Sequence, residues 1–236
     1  GRATSRLFAR EGAKLVTADV TGAQEQTANE IRDAGGEATA VHVDVTNESD
    51  VKAMLDKARQ TYGRIDILYN NAGVLGELGA LTDCTEQNFD RIISTNLKGV
   101  FFGLKHGLRA IAESGGGAIV NTASIAGLVG LPGLGAYCAS KGGVIQLTRT
   151  AALEGAAMNV RVNCVCPGGV NTPMVQNAGL GRAAGDAGGA AAGATLGATR
   201  IIDPEEIGRL VLFLASDDAS AITGGAYPID LGVTAR

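Results

Sequence analysis

Gly117 to Gly143 reads GAIVNTASIAGLVGLPGLGAYCASKGG, and this stretch decides the fold. The β-branched run Ala118–Thr122 predicts a strand, Ser124 follows it, and a Gly/Pro loop leads into a helix with Tyr137 and Lys141. Side chains four residues apart share a helix face, so we expect the lysine cation to lower the tyrosine pKa from its usual ~10. Ser124 would hydrogen-bond the oxygen that Tyr137 protonates or deprotonates. This is a general acid/base arrangement for a carbonyl or an alcohol.

Taken alone, the pair could equally be an exposed Tyr and Lys on a solvated helix. Four stretches taken together argue for a site. They are Asn70-Asn71-Ala72-Gly73, Asn96-Leu97-Lys98-Gly99, Ser124 with Tyr137-Cys138-Ala139-Ser140-Lys141, and Pro167-Gly168-Gly169-Val170-Asn171-Thr172. In this order and at these spacings the chain resembles the short-chain dehydrogenase/reductase family over nearly its whole length.

Strand and helix patterns alternate without interruption, which predicts one α/β domain over residues 1–236 with a doubly wound, Rossmann-like parallel sheet and helices on both faces. The predicted helices are Gly1–Glu11, Ala23–Ala34, Glu48–Tyr62, Glu86–Glu113, Ala136–Ala157 and one that begins at Asp203-Pro204. The predicted strands are Ala13–Asp19, one that ends in Asp44-Val45, Ile65–Asn70, Ala118–Thr122, Val160–Cys166 and Ala226–Asp230.

The long helix Glu86–Glu113 carries an apolar stripe that we expect to be buried. Its members are Phe89, Ile92, Ile93, Leu97, Val100, Phe101, Leu104 and Leu108. Asn96 lies on this stripe, and a buried amide needs hydrogen-bond partners. It could serve the site or be satisfied by neighbouring backbone, and the two roles are compatible.

In a parallel α/β sheet, ligands bind beyond the carboxyl ends of the strands. Asp19, Asp44, Asn70, Ser124 and Pro167 all fall at such ends, which groups them into one site. Asp19 lies 18 residues after Gly1, near the spacing at which an acid binds the adenosine ribose of a dinucleotide. A carboxylate there repels a 2′-phosphate, which favours NAD over NADP. An aspartate at a strand end is also a common turn residue.

The resemblance implies reversible hydride transfer, with the cofactor carrying the hydride and the protein handling the proton. It implies Tyr137 as the acid/base, Lys141 as the group that lowers its pKa and grips the nicotinamide ribose, Ser124 as the residue that orients the substrate, and Asn96 as the holder of a structural water. It also assigns cofactor contacts to Gly1 at the glycine-rich turn, Asp44 and Val45 at adenine, Asn71, Ala72 and Gly73 at the nicotinamide-side ribose, and Pro167, Gly168, Val170 and Thr172 at the carboxamide and pyrophosphate.

The start of the chain departs from the family pattern, which begins with a strand and a Thr-Gly-x-x-x-Gly-x-Gly turn. Gly1 matches the final glycine, so we expect the first strand of the sheet to be missing and the sequence to be a truncated form of a complete enzyme. If the molecule begins at Gly1, we expect weak NAD binding, because the turn amides cradle the pyrophosphate.

The segment 174–200 is rich in glycine and alanine, and in the resembled family it is the substrate lid. A flexible linker is the alternative. Seven apolar side chains could wall a pocket for a hydrophobic, including a cyclic, secondary alcohol or ketone. They are Leu128, Val129, Leu131, Leu134, Val170, Met174 and Leu196.

Composition limits the partners. A net charge of −4 without a basic block argues against nucleic acid, and no apolar run is long enough to span a membrane, so a soluble cytoplasmic protein is expected. Cys164 and Cys166 point to one side of a strand, where a core role is favoured over a metal site because no CxxC accompanies them. The resemblance suggests a homotetramer built on Glu86–Glu113 and Ala136–Ala157.

A non-catalytic NAD-binding or oligomeric scaffold of the same fold is the alternative, and the complete set Asn96, Ser124, Tyr137 and Lys141 argues against it. A serine hydrolase is excluded, since Ser124 lies in Ala-Ser-Ile-Ala-Gly and no histidine follows it in the chain.

Overall fold

The computed structural model describes residues 1–178 and 200–235. Its helices are α1 (Arg2–Arg10), α2 (Ala23–Asp33), α3 (Glu48–Tyr62), α4 (Glu86–Ile93), α5 (Gly99–Glu113), α6 (Gly135–Gly155), α7 (Pro173–Asn177) and α8 (Pro204–Ala215). Its strands are β1 (Leu15–Asp19), β2 (Ala38–His42), β3 (Ile67–Asn70), β4 (Gly117–Thr122), β5 (Val160–Pro167) and β6 (Ala226–Ile229).

All strand pairs are parallel, in the orders β1-β2 and β3-β4-β5-β6. Alternate residues of β4 point to opposite faces of the sheet and pack into two separate hydrophobic cores. Ile119 packs with α3, α5 and α6, whereas Ala118 and Val120 pack with α1 and α8. The predicted doubly wound sheet with helices on both faces is therefore confirmed. Within the described residues the strands form two separately hydrogen-bonded groups, one of two strands and one of four.

Local signals place most element boundaries. Helix α3 has the predicted bounds and ends at Gly63, whose φ of 80° is the left-handed conformation that glycine adopts freely. Helix α8 begins at Asp203, where a complete capping box with Glu206 satisfies free amides of the first turn. Strand β2 ends at His42, so Asp44 and Val45 lie in the loop after it and not in the strand.

The predicted helix Glu86–Glu113 is interrupted by a π-helical turn at Ser94–Lys98. This turn rotates the buried face, so the expected burial of Phe89 and Phe101 is wrong: they are 44% and 45% exposed. Positions four residues apart face the interior instead, and they are Asn88, Ile92, Asn96, Val100, Leu104 and Leu108. Asparagines thus occupy two places on the buried stripe.

The predicted lid 174–200 lies largely outside the described residues, which include only its first five residues and its last. In residues 1–178 and 200–235, every helix is too short or too polar to cross a bilayer.

Candidate active site

Lys141 projects from the second turn of α6 into the interior and is 3% exposed. Its Nζ donates to the carbonyl of Thr122 at 2.8 Å. The pairing of β4 with β3 ends at Asn121, one residue earlier, which leaves this carbonyl available to the lysine. Burial lowers the pKa of Lys141 from 10.5 to about 8, because desolvation disfavours the ammonium, and the thiols of Cys166 and Cys164 act in the opposite direction.

Tyr137, one helical turn before Lys141, is half-buried, and its ring centroid lies 5.7 Å from Lys141 Nζ. The expectation that the lysine lowers the tyrosine pKa is wrong for the free protein. Burial raises the pKa of Tyr137, and the contact with the Ser124 hydroxyl lowers it only in part. The reason is that desolvation of the phenolate dominates, while the lysine charge is directed at the Thr122 carbonyl.

Ser124 lies two residues beyond β4 in extended backbone with φ −172°. Its Oγ accepts from the amide of Ala126 at 3.2 Å and lies 3.5 Å from the carbonyl oxygen of Pro167 at the end of β5. These contacts fix the hydroxyl between two strand ends and beside Tyr137. The structure therefore brings Ser124, Tyr137 and Lys141 together, as the sequence predicts.

Asn96 is fully buried in the π-helical turn and brackets one loop residue. Its Oδ1 accepts from the amide of Val74 at 2.7 Å, and its Nδ2 donates to the Val74 carbonyl at 2.9 Å and to Ser140 Oγ at 3.1 Å. A Cβ at the adjacent Gly73 would lie 3.3 Å from Asn96 Oδ1 and 3.6 Å from Lys141 Nζ. Asn96 thus holds the end of the Asn-Asn-Ala-Gly turn against Lys141, and the Val74 backbone together with Ser140 Oγ satisfies its amide.

Ser140 makes a contact within the site that the sequence does not predict. Its hydroxyl accepts from Asn96 and donates to the carbonyl of Tyr137 at 2.8 Å, which ties the loop bracket to the helix that carries the tyrosine. Thr122 makes a second such contact, through its backbone carbonyl to Lys141 Nζ. The sequence could not predict it, because a backbone contact leaves no pattern in the side chains.

At the ends of β1 and β2, two carboxylates are held in the same way. Asp19 Oδ1 accepts from the amide and hydroxyl of Thr21, at 2.7 and 2.6 Å. Asp44 Oδ1 accepts from the amide and hydroxyl of Thr46, at 2.9 and 2.7 Å, which lowers the pKa of Asp44. Both carboxylates are therefore held in place by the turn that follows the strand. The Asp19 Oδ2 has no partner among the described residues and remains free to accept.

The remaining predicted cofactor residues lie at the same edge. A Cβ at Gly1 would lie 3.2 Å from Asn71 Nδ2, which places the start of α1 beside the end of β3, and Ala72 is exposed next to Asn71. The half-buried Val45 packs on Gly99, the first residue of α5.

The loop after β5 is fixed by its neighbours. Gly168 donates to the Ile229 carbonyl at 3.0 Å and packs so closely on Asp230 that a Cβ would lie 3.0 Å from its Cα. Val170 pairs with Ile202, and the Thr172 hydroxyl lies 3.3 Å from the Val170 carbonyl oxygen.

Asn70 does not belong to this site, although it ends β3. Its side chain turns inward, and its Nδ2 donates to Asn121 Oδ1 at 2.9 Å. Gly103 of α5 packs directly on it, since a Cβ there would lie 2.2 Å from Asn70 Oδ1. The grouping of all five strand-end residues in one site is wrong for Asn70.

This edge has the donors and acceptors that a dinucleotide requires. The free Asp19 oxygen can accept from ribose hydroxyls, and the 53% exposed Val20 beside it offers an apolar surface. At the other end, two of the three protons of Lys141 Nζ have no partner within residues 1–178 and 200–235. The residues present therefore fit a dinucleotide that extends from Asp19 to Lys141.

A cleft of about 210 Å³ lies beside Tyr137. Its apolar walls are Leu75, Leu78, Leu81, Ile92 and Leu134. Of the predicted wall residues that the structure describes, only Leu134 lines this cleft. Leu128, Val129 and Met174 are instead 40%, 42% and 37% exposed. Leu196 lies outside the described residues. The sequence analysis does not predict the wall that the loop after β3 contributes. The pattern that could have indicated it is the recurrence of glycine and leucine in residues 73–81, GVLGELGAL.

Comparison with known proteins gives matches over the whole chain. A family model described as "Enoyl-(Acyl carrier protein) reductase" matches residues 1–234. Cyclohexanol dehydrogenase of Acinetobacter sp. (strain SE19) is 37% identical over 237 residues, which cover 100% of this chain and 91% of that protein. Cis-4-hydroxycyclohexanecarboxylate dehydrogenase of Sinomonas cyclohexanicum is 41% identical over 235 residues, covering 100% and 92%. The crystal structure of a short-chain type dehydrogenase/reductase from Mycobacterium marinum has a TM-score of 0.91 at 34% identity, covering 100% and 91%.

Proposed function

The chain belongs to the short-chain dehydrogenase/reductase family, and from this we propose that it is an NAD-dependent oxidoreductase. The reaction we propose is hydride transfer between nicotinamide and a hydrophobic secondary alcohol or the corresponding ketone, with Tyr137 as the acid/base. The observation that carries the proposal is the convergence of Tyr137, Ser124 and Lys141, with Lys141 Nζ against Gly73, beside a cleft lined by leucines and by polar side chains.

The cofactor assignment follows from the charges at the two ends of the site. When bound, the nicotinamide supplies or accepts the hydride. Asp19 would accept from the adenosine ribose hydroxyls, and Lys141 would donate to the nicotinamide-side ribose. An anionic Asp19 would repel the 2′-phosphate of NADP, which supports NAD as the preferred cofactor.

Proton handling falls to Tyr137. Since burial raises its pKa, the neutral phenol predominates at pH 7, which suits donation of a proton to a ketone oxygen. In the opposite direction the phenolate must form, and the Lys141 ammonium is the cation available to stabilise it. Ser124 would hold the substrate oxygen beside the phenol. We therefore expect alcohol oxidation to accelerate and ketone reduction to slow as pH rises.

The cleft supports a compact apolar substrate. Leucines form part of its walls next to Tyr137, and its volume can hold a ring of about six carbons. Two of the similar proteins are named for cyclohexanol and for a hydroxycyclohexanecarboxylate. We propose a cyclic secondary alcohol or cyclic ketone as the substrate class.

A homotetramer and a cytoplasmic location remain predictions. Exposed Phe89, Phe101 and Leu153, on α4, α5 and α6, support assembly through these helices, because large apolar side chains on a surface favour association. Light scattering coupled to size-exclusion chromatography would give the number of copies.

The test is calorimetric titration with NAD and NADP, followed by oxidation of cyclohexanol and reduction of cyclohexanone. We expect NAD to bind more tightly, and the Tyr137→Phe variant to bind NAD normally while kcat falls by about 10²–10⁴. Absence of NAD binding would favour a non-catalytic scaffold. Turnover by Tyr137→Phe at the rate of the unmodified protein would refute the assigned role.

A further inference from the structure

We propose that Asn88 is a positioning residue that fixes the loop 74–78 as a wall of the substrate cleft and thereby sets the KM for the substrate. The inference rests on the proposed function for its kinetic consequence, whereas the holding of the loop can be tested without it. Asn88 lies in the first turn of α4 and is itself among the residues that line the cleft, but it contacts no proton-transferring group.

The contacts of Asn88 form a two-point bracket on one loop residue. Its Oδ1 accepts from the amide of Glu77 at 3.0 Å, and its Nδ2 donates to the carbonyl of Glu77 at 3.2 Å. The side chain is 6% exposed, so water cannot readily replace these bonds. The helix in turn fixes Asn88, since its amide donates to the capping oxygen of Thr85 at 3.1 Å.

The residue before Glu77, Gly76, also packs against α4. Gly76 has φ +80°, and a Cβ there would lie 2.3 Å from Ile92 Cδ1 and 2.8 Å from Asn88 Oδ1. A left-handed glycine is therefore required both by the backbone angle and by the space above Ile92. Asn88 and Ile92, one turn apart on the buried stripe, together form the seat for this loop.

Asn88 holds the loop at the cleft in the same way as Asn96 holds it beside Lys141. The two asparagines are two places apart on the buried stripe, and each pairs with both the amide and the carbonyl of a single loop residue, Val74 or Glu77. Asn96 holds the part of the loop that follows the Gly73 turn, next to the proton-transferring groups. Asn88 holds the part from which Leu75, Glu77 and Leu78 line the cleft.

This division predicts separate kinetic effects. Loss of the Asn88 bracket would let the cleft wall move while Tyr137, Ser124 and Lys141 keep their own supports. Because a displaced wall weakens substrate contacts, the effect should fall on KM for the alcohol and not on NAD binding or proton transfer.

The experiment compares Asn88→Leu with a matched control, Asn163→Leu. Asn163 of β5 is 1% exposed and also makes two hydrogen bonds to loop backbone, here to two different residues: its Nδ2 donates to the Ile222 carbonyl at 2.8 Å, and its Oδ1 accepts from the Gly225 amide at 3.0 Å. It does not line the cleft, so its loss tests destabilisation alone. Asn88→Asp is the conservative variant, since it keeps the acceptor for the Glu77 amide and loses the donor.

For Asn88→Leu we expect KM for cyclohexanol to rise by about tenfold, kcat to change by less than about threefold, and the Kd for NAD to stay constant. Asn88→Asp should give an intermediate KM. Asn163→Leu should lower the urea midpoint at least as much without changing KM. An unchanged KM for Asn88→Leu, or an equal rise for Asn163→Leu, would overturn the proposal.

Amide hydrogen exchange separates this inference from the proposed function. We expect the Glu77 amide to be protected in the unmodified protein and to exchange faster in Asn88→Leu, while the Val74 amide, held by Asn96, stays protected. If the unmodified protein oxidises no alcohol, the proposed function fails, and the exchange of Glu77 still decides whether Asn88 holds the loop. An unprotected Glu77 amide in the unmodified protein overturns the inference whatever the turnover.

Discussion

Replacing Lys141 by methionine should change how the free energy of unfolding depends on pH. The ammonium of Lys141 is buried, and its pKa is about 8 in the folded protein against 10.5 for an ordinary lysine. The folded state therefore binds fewer protons than the unfolded state between these two values. By linkage, the cost of burying the charge is fully present below pH 8 and is relieved as pH rises toward 10.5.

The size of the effect follows from the shift. At pH 7 a difference of about 2.5 pKa units corresponds to a destabilisation of about 3 kcal/mol. At pH 9.5, one unit below the unfolded value, about 1.4 kcal/mol remains. The unmodified protein should therefore gain about 2 kcal/mol relative to Lys141→Met between pH 7 and pH 9.5. Lys141→Met also loses the hydrogen bond to Thr122, but this loss lowers the stability of the variant by a similar amount at each pH and therefore largely cancels when the two pH values are compared.

Urea unfolding of both proteins at pH 7, 8, 9 and 9.5 measures this difference. The thiol of Cys164 lies nearby and its pKa is lowered, so it can titrate in this range, whereas the neighbouring Cys164 and burial raise the pKa of Cys166. The comparison should therefore be repeated in a Cys164→Ala background, where the same trend is expected. Lys52→Met is the surface control, since Lys52 is 63% exposed and carries no burial cost. If the difference between the unmodified protein and Lys141→Met stayed within about 0.5 kcal/mol over the range, the ammonium would not be desolvated and the reasoning would be refuted.

Three further outcomes are expected. Gly103→Ala should destabilise the fold by about 1–3 kcal/mol in urea unfolding, because its Cβ would lie 2.2 Å from Asn70 Oδ1, whereas Gly142→Ala, with its nearest contact at 3.8 Å, should be neutral or stabilising. Asp203→Ala should cost about 1 kcal/mol in the same assay by removing the cap of α8; an unchanged midpoint would contradict this. Asp19→Asn should raise the ratio of kcat/KM for NADP to that for NAD by about tenfold or more, and an unchanged ratio would remove Asp19 as the discriminating residue.

Much of the fold could be predicted because its signals are local. The apolar period of Val51, Met54, Leu55 and Ala58 places α3 within its observed bounds, and Asp203 with Pro204 marks the start of α8. Parallel strands then bring their carboxyl ends to one edge, so the neighbourhood of Asp19, Asp44, Ser124 and Pro167 follows from topology without any contact being known.

The direction of the Tyr137 pKa could not be predicted in this way. A spacing of four residues establishes that Lys141 is near, but the shift depends on the balance between that charge and the desolvation of the phenol. Here the lysine is directed at the Thr122 carbonyl and burial dominates. The same burial lowers the pKa of Lys141, so both groups are less readily ionised in the free protein than the spacing alone suggests.

The buried asparagines illustrate a different limit. The predicted stripe includes Asn96 but not Asn88, because the π turn at Ser94–Lys98 changes the phase of the buried face. A helical period indicates that a buried amide needs partners, yet it cannot name them. Each amide needs a donor and an acceptor together. Backbone within helices and strands is already paired, so a buried asparagine on a helix points to an irregular segment packed against it. Two such residues flanking Ile92 therefore indicate that the segment rich in glycine before α4 folds back onto the helix, which is where the cleft wall lies.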